Sequence, residues 1–301
     1  MKNVLQYYYN LNPDSIHQVH KDYRIIINKD IYMMYNLEII NNEIYQIYAL
    51  NKLLSHNNIL FNKIILNVSD QIITQINDIP YMLVKIYFEN RNINFEDLYF
   101  FSNLYIDVSN YRELDKSDWY YLWTNKIDYI EYQVSQFGKN YPLIRKSINY
   151  YIGMAETAIN LLGNKKKETT HFVISHRRVK SKSKLWDIYN PLSLVIDTRV
   201  RDISEFYKTL FFDKGLNIEL LKKQVLSYQF SSYEAFLFYV RMIFPTYYFD
   251  CYEEIVLGDL NEKELLKYIY KAEQYRVFLK EIYFFLKQYY DLIEVEWIIK
   301  A

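Results

Sequence analysis

The stretch HFVISHRRVKSKSKLWDIYNPLSLVIDT, residues 171–198, decides how the rest of the chain is read. An apolar run, FVIS, leads into His176. A polar loop carrying Arg177, Arg178, Lys180, Lys182 and Lys184 follows. A second apolar run, LSLVI, then ends in Asp197. Short apolar runs bounded by polar residues read as buried strands. A strand–loop–strand of this kind brings the ends of the two strands together, so His176 and Asp197 are expected to be neighbours.

Downstream, RVRDISEFYK opens the first of several helical segments, near 201–212, 216–227, 231–243 and 261–290. Upstream lie two long amphipathic helices. Residues 141–163 place Ile144, Ile148, Tyr151, Ile152, Ala155, Ile159 and Leu162 on one face. Residues 115–137 do the same with Trp119, Leu122, Trp123, Ile127, Ile130 and Val134. Stripes at this spacing are core-forming faces. NFEDLYFFSNLY is a further helix, and GNKKKETT (163–170) is a surface loop.

Before residue 94 the period changes. YRIIIN (23–28) and IYMMYNL (31–37) read as an antiparallel hairpin. A helical stripe of Ile44, Ile47, Tyr48, Leu50, Leu53 and Leu54 follows, with Asn41 or Asn42 as its cap. KIILNV and QIITQI flank Ser69–Asp70 as a second hairpin, and YMLVKIYF (81–88) is another strand. The residues before Tyr23, including His17 and His20, are expected to be irregular. The pattern divides the chain into a small lobe, 1–88, made of an antiparallel sheet and one helix, and a mainly helical lobe, 89–301.

Lys plus Arg and Asp plus Glu balance at 36 each, so no global field draws nucleic acid or an anionic membrane. No apolar stretch is long enough to span a bilayer, and the N-terminus lacks the apolar core of a signal peptide. The single cysteine, Cys251, excludes an internal disulfide framework and suits a reducing, cytoplasmic setting. Tyrosine is abundant, at 34 copies, alongside Ile, Asn and Lys. All four are served by AT-rich codons, which accounts for the bias without a stacking surface.

The order of elements, with ISHRRVKSKSK and LVIDTRVRDISEF in these places, resembles the protein-kinase-like fold in its aminoglycoside phosphotransferase and choline kinase branch. In that branch the catalytic loop reads His-Gly-Asp with an Asn five residues after the Asp, and a later strand ends in Ile-Asp. WTNKIDYIEYQV, SINYYIGMAETAI and VIDTRVRDISEFYK resemble more narrowly the kinase-like proteins associated with the bacterial endospore coat. The resemblance implies an α+β, two-lobed fold: a small antiparallel-sheet N-lobe with one helix, and a larger, mainly helical C-lobe. Its catalytic loop would be 174–184 and its metal strand 192–197.

The site parts that the resemblance implies are mostly replaced. Phosphoryl transfer needs a phosphate cradle, a cation, metal ligands and a group that orients or deprotonates the nucleophile. A cradle normally needs glycine, yet Gly138, Gly153, Gly163, Gly215 and Gly258 all lie outside the small lobe. The strand that should carry the lysine offers Met33, Met34 or Tyr35, with Lys29 before it and Lys85 on a later strand. Glu43 stands where that lysine's partner would be and reads as a first-turn helix residue. His-Gly-Asp maps onto His176, Arg177 and Arg178, and an arginine cannot accept a proton. The metal-binding Asn maps onto Ser183, a weaker ligand. Asp197 is the one metal candidate, and Asp187 or Asn190 would have to complete a rebuilt site. Asp202 and His176 have ordinary structural readings, as a helix cap and a hydrogen-bonded loop residue. Asp197 is expected to pair with Arg177, Arg178 or Arg199.

The expectation is therefore a catalytically degraded kinase-like protein with a binding or scaffolding role. No cofactor is expected, and the partner is an unidentified protein, a spore coat component by resemblance. Two rivals remain. One is an active small-molecule phosphotransferase with a rebuilt site, using ATP and Mg²⁺. The other is an anion-binding module using Arg177, Arg178, Lys180, Lys182 and Lys184.

Overall fold

The computed structural model of the chain describes residues 1–37, 41–168, 170–213 and 215–300. Within the expected loop 163–170, Thr169 lies outside the described residues. The chain forms two compact units. The first contains residues 1–93, 107–115 and 182–195; the second contains 94–106, 116–181 and the chain from 196 onward. The sequence pattern suggests one cut near residue 88, whereas two later segments return to the first unit.

The first unit opens with helix α1 (Lys2–Tyr9), then strands β1 (Ser15–Val19), β2 (Asp22–Ile27) and β3 (Asp30–Asn36), helix α2 (Asn42–His56), and strands β4 (Lys63–Ile65), β5 (Thr74–Ile76) and β6 (Ile79–Ile86). The strands make one antiparallel sheet in the order β1-β2-β3-β6-β4, with β5 also on β6. The β2–β3 hairpin forms as expected. Asn28 and Lys29 both take positive φ, the backbone that a two-residue turn between twisted strands requires. Asn77 and Asp78 repeat that turn between β5 and β6.

Two expectations for this unit are corrected. Ser69–Asp70 does not join a hairpin, because β4 and β5 each pair with β6. The Asn67 side chain builds that turn instead, accepting from the Ser69 and Gln71 backbone N–H groups. The N-terminal stretch is also not irregular: α1 buries Leu5 and Tyr9 against Ile25, Ile27, Tyr32, Met34, Tyr81 and Leu83, and His17 pairs with Arg24 on the edge strand.

The second unit begins with α3 (Phe95–Phe101), stopped short of its expected length and started by an Asn94–Asp97 capping box. Then come α4 (Trp119–Phe137), α5 (Pro142–Asn164) and β7 (Phe172–His176). Helix α6 (Leu185–Ile188) lies in the returning segment of the first unit, and β8 (Leu194–Thr198) pairs with β7. The chain continues through α7 (Arg201–Asp213), α8 (Ile218–Ser227), α9 (Ser232–Ile243), α10 (Thr246–Val256), α11 (Leu266–Lys287) and α12 (Glu296–Ile299). Every residue of α9 after Ser232 is buried, which makes it the central helix of this unit. The α4 and α5 stripes face the core, although Leu122 is exposed and Ile159 and Leu162 are only partly covered. Many tyrosines are core residues: Tyr151 stacks on Tyr248 at 3.7 Å, and Tyr275 is fully enclosed.

Candidate functional site

β7 delivers His176 into the interior of the second unit. Its backbone N–H donates to Asp202 Oδ1 at 3.1 Å, and its Nδ1 lies 2.6 Å from Asp202 Oδ2. The ring edge meets Phe101 at 4.5 Å. Asp202 is thus spent on His176, where the sequence offered a helix cap.

β8 delivers Asp197, which has no exposed surface. Trp119 Nε1 donates to both carboxylate oxygens at 3.0 Å. The Thr198 N–H donates to Oδ1 at 2.6 Å, and Arg201 Nη1 to Oδ2 at 2.5 Å. Burial pushes the Asp197 carboxyl up, against the pull of Arg201 and Arg241. Burial likewise opposes the charge on Arg201, but Asp197 and Asp202 outweigh it and hold its pKa high. Arg201 is further fixed by the carbonyl oxygens of His176 and Arg177, at 2.9 and 3.2 Å.

Arg201, not Arg177, Arg178 or Arg199, is therefore the partner of Asp197. Arg178 turns its Nε to Asp250 Oδ2 on α10 at 2.9 Å, and Lys180 lies 3.8 Å from Glu254 on the same helix. Arg199 lies 3.9 Å from Glu234. Arg177 stays in the second unit, whereas the loop from Lys182 onward belongs to the first. Lys182 is exposed, Lys184 Nζ donates to Asn92 Oδ1 at 2.8 Å, and the Ser183 carbonyl accepts from Ile93 N–H at 3.0 Å. Glu43 sits in the first turn of α2, as expected. Lys85 bonds Asp30 at 2.5 Å and lies over the Tyr32 and Tyr87 rings. Cys251 is buried, which pushes its thiol up to about 11.

A divalent cation does not fit this donor set. Both Asp197 oxygens already accept from Trp119, and each takes a further donor, one of them a guanidinium. Among the described residues no group of three or more His, Cys, Asp or Glu side chains is placed to hold a metal ion. No helix of the described residues is long and apolar enough to cross a membrane.

Beneath this cluster lies a second one that sequence reading missed. Glu205 Oε1 accepts from Lys208 Nζ at 2.8 Å and from Arg241 Nε at 2.7 Å. Lys208 Nζ also donates to the carbonyls of Arg241 and Phe244, both at 3.0 Å, and to Thr246 at 3.1 Å. Two buried cations share one carboxylate. Burial raises the Glu205 pKa, but Lys208 and Arg241 prevail and hold it at about 2. Burial wins on Lys208, which falls to about 8 despite Glu205. Two signals were present: the i,i+3 spacing in SEFYK, and a lone arginine inside the apolar run AFLFYVRMI.

The architecture is that of the aminoglycoside phosphotransferases and related kinases. A spectinomycin phosphotransferase, APH(9)-Ia, solved with ADP and spectinomycin, covers 95% of this chain and 97% of its own at 12% identity, with a TM-score of 0.58. An aminoglycoside phosphotransferase from Alicyclobacillus acidocaldarius reaches 0.64 at 11% identity, covering 92% and 93%. The amicoumacin kinase hAmiN gives 0.59 at 11% identity, covering 96% and 94%. Within this kinase-like fold the chain belongs to the family described as "Spore coat putative kinase YutH", matched over residues 2–282. The endospore coat-associated protein YutH of Bacillus subtilis (strain 168) is 26% identical over 165 residues, and the match spans about half of either chain, 48% of each.

Proposed function

We propose that this chain is a kinase-like protein that has lost phosphoryl transfer and acts by binding, as a cytoplasmically made component associated with the endospore coat. The enclosure of Asp197 carries this reading. The carboxylate that would hold Mg²⁺ is fully buried and locked by Arg201, Trp119 and the Thr198 backbone. Releasing it would expose a guanidinium without its partner, a cost of about 3–5 kcal/mol for a buried pair. Arg178 in place of the catalytic acid supports the same conclusion, because a guanidinium stays protonated and cannot take a substrate proton. The first unit supplies no glycine for a phosphate cradle, and β3 supplies no lysine. On this reading ATP and Mg²⁺ are not cofactors, and the partner is a coat protein.

The test is Mg²⁺-dependent ATP turnover by the purified chain across small hydroxyl- and amine-bearing substrates, aminoglycosides included. No turnover above the no-protein control is expected. Turnover that vanishes in Asp197→Asn and survives in the surface control Lys29→Ala would overturn the reading. It would install the rebuilt-site phosphotransferase in its place.

A further inference from the structure

The second unit holds a pocket of about 240 Å³ whose charged lining residues are Lys116, Lys126, Arg178, Arg201 and Arg241. We propose that this pocket binds a small oxyanion of the phosphate or phosphomonoester class. The proposal deepens the binding role above by naming the ligand chemistry of one site.

The charge pattern is the first argument. All five charged residues of the wall are cations, although the whole chain is neutral. Their carboxylate partners Asp197, Glu205, Asp250 and Glu253 are not among the residues that line the pocket. Asp250 is shared, lying 2.9 Å from Arg178 and 3.9 Å from Lys126. The pocket therefore presents positive charge from α4, the 176–181 loop, α7 and α9 at once.

Preorganisation is the second argument. Arg201 is held by Asp197 and two backbone carbonyls. Arg241 is held by Glu205 and lies over the Trp119 and Trp123 rings at 4.6 and 5.5 Å. These side chains lose little further freedom on binding, and planar guanidinium groups match the oxygens of phosphate. Arg241 is almost fully buried, and its Nη1 has no hydrogen-bond partner. A buried donor left unpaired is costly, so this residue of the pocket wall keeps an unmet demand for an acceptor.

Size and walls narrow the ligand. The volume is below the roughly 300–1,000 Å³ of pockets for drug-sized molecules, which favours a phosphate or small ester. Trp119, Leu122, Trp123 and Phe244 also line the pocket, so an apolar group beside the phosphate meets apolar walls.

Calorimetric titration of the full chain with inorganic phosphate, phenyl phosphate and phenol tests this. One site per chain is expected for the two phosphates and none for phenol. Tighter binding of phenyl phosphate marks an aromatic ester as the preferred source; equal binding marks phosphate itself. Lys126→Gln and Arg178→Gln are each expected to weaken binding by about tenfold, the scale of one charged hydrogen bond. Arg178 is half exposed and the Lys126 side chain keeps 21% of its surface, so the fold survives their loss, as unchanged thermal midpoints without ligand will show. Arg241→Ala is unsuitable because it also strips Glu205. Absence of saturable binding below about 10 mM, weaker than any useful affinity, overturns the proposal. So does binding that neither substitution changes. Neither result bears on Mg²⁺-dependent turnover through Asp197, so failure here is distinct from failure of the lost-transfer reading.

Discussion

Asp197 and Arg201 are four residues apart at the junction of β8 and α7, and both are buried. Removing one partner of such a pair leaves the other uncompensated in a medium that solvates it poorly. Asp197→Ala and Arg201→Ala are each expected to cost about 3–5 kcal/mol, and the double mutant clearly less than their sum. Arg178→Ala is expected to cost about 0–1 kcal/mol, because Arg178 is half exposed and Asp250 keeps Lys126 nearby. Its loss should add to that of Asp197→Ala within about 0.5 kcal/mol, the usual limit for independent sites. Urea unfolding of the wild type and the five variants measures both cycles, and strong coupling between Arg178 and Asp197 would contradict the pairing. Sequence placed Asp197 among several cations without showing which one would reach it. Arg178 goes to a residue 72 positions later, a choice that only the packing of α10 makes. The Arg201 pairing leaves only a local trace in the sequence, its i,i+4 spacing from Asp197.

Helix α7 links the two buried clusters, with Arg201 and Asp202 in its first turn and Glu205 and Lys208 one and two turns on. This makes acid sensitivity a property of the element. Glu205 has a folded pKa of about 2 against an ordinary 4.5, so the unfolded chain binds its proton more readily. Its stabilisation is fully present above pH 4.5 and is lost as pH falls toward 2, a change on the order of 3 kcal/mol. Urea unfolding at pH 5, 4 and 3 should show this decline, with a visibly flatter slope in Glu205→Gln. An unchanged slope would mean that other carboxylates set the acid limit. At the same scale, long elements with a strong stripe, such as α4 and α5, were legible from period alone. The missed or misassigned ones were short. α1 has eight residues, and β4 and β5 have three each. Segments that short are not stable by themselves and owe their form to partners distant in sequence. α10 has another cause: it starts directly after Pro245, and at eleven residues it is too short for its apolar residues to stand out from the apolar run before it.

The chain passes between its two units five times, at 93/94, 106/107, 115/116, 181/182 and 195/196. The first unit is therefore incomplete as a continuous piece. Segment 182–195 is tied into it by backbone bonds from Leu185 N–H to the Arg91 carbonyl at 2.8 Å and from Ile93 N–H to the Ser183 carbonyl at 3.0 Å. Asn62, fully buried, donates its side-chain amide to the Trp186 carbonyl and its backbone N–H to that of Tyr189. The Tyr189 ring stacks on Phe88 at 3.6 Å and meets Phe61 at 5.1 Å. Arg24 from β2 lies 5.7 Å from the Trp186 ring. A fragment of residues 1–93 loses all of these partners. It leaves the Asn62 amide and two aromatic rings uncovered, each a loss of about 1–3 kcal/mol. Typical domain stabilities are only about 5–15 kcal/mol. The fragment is therefore expected to show no cooperative urea transition, although its strands are local and antiparallel. A fragment that unfolds cooperatively with a slope appropriate to its size would show that the sheet and its two helices suffice, and that the returning segments decorate a unit already complete.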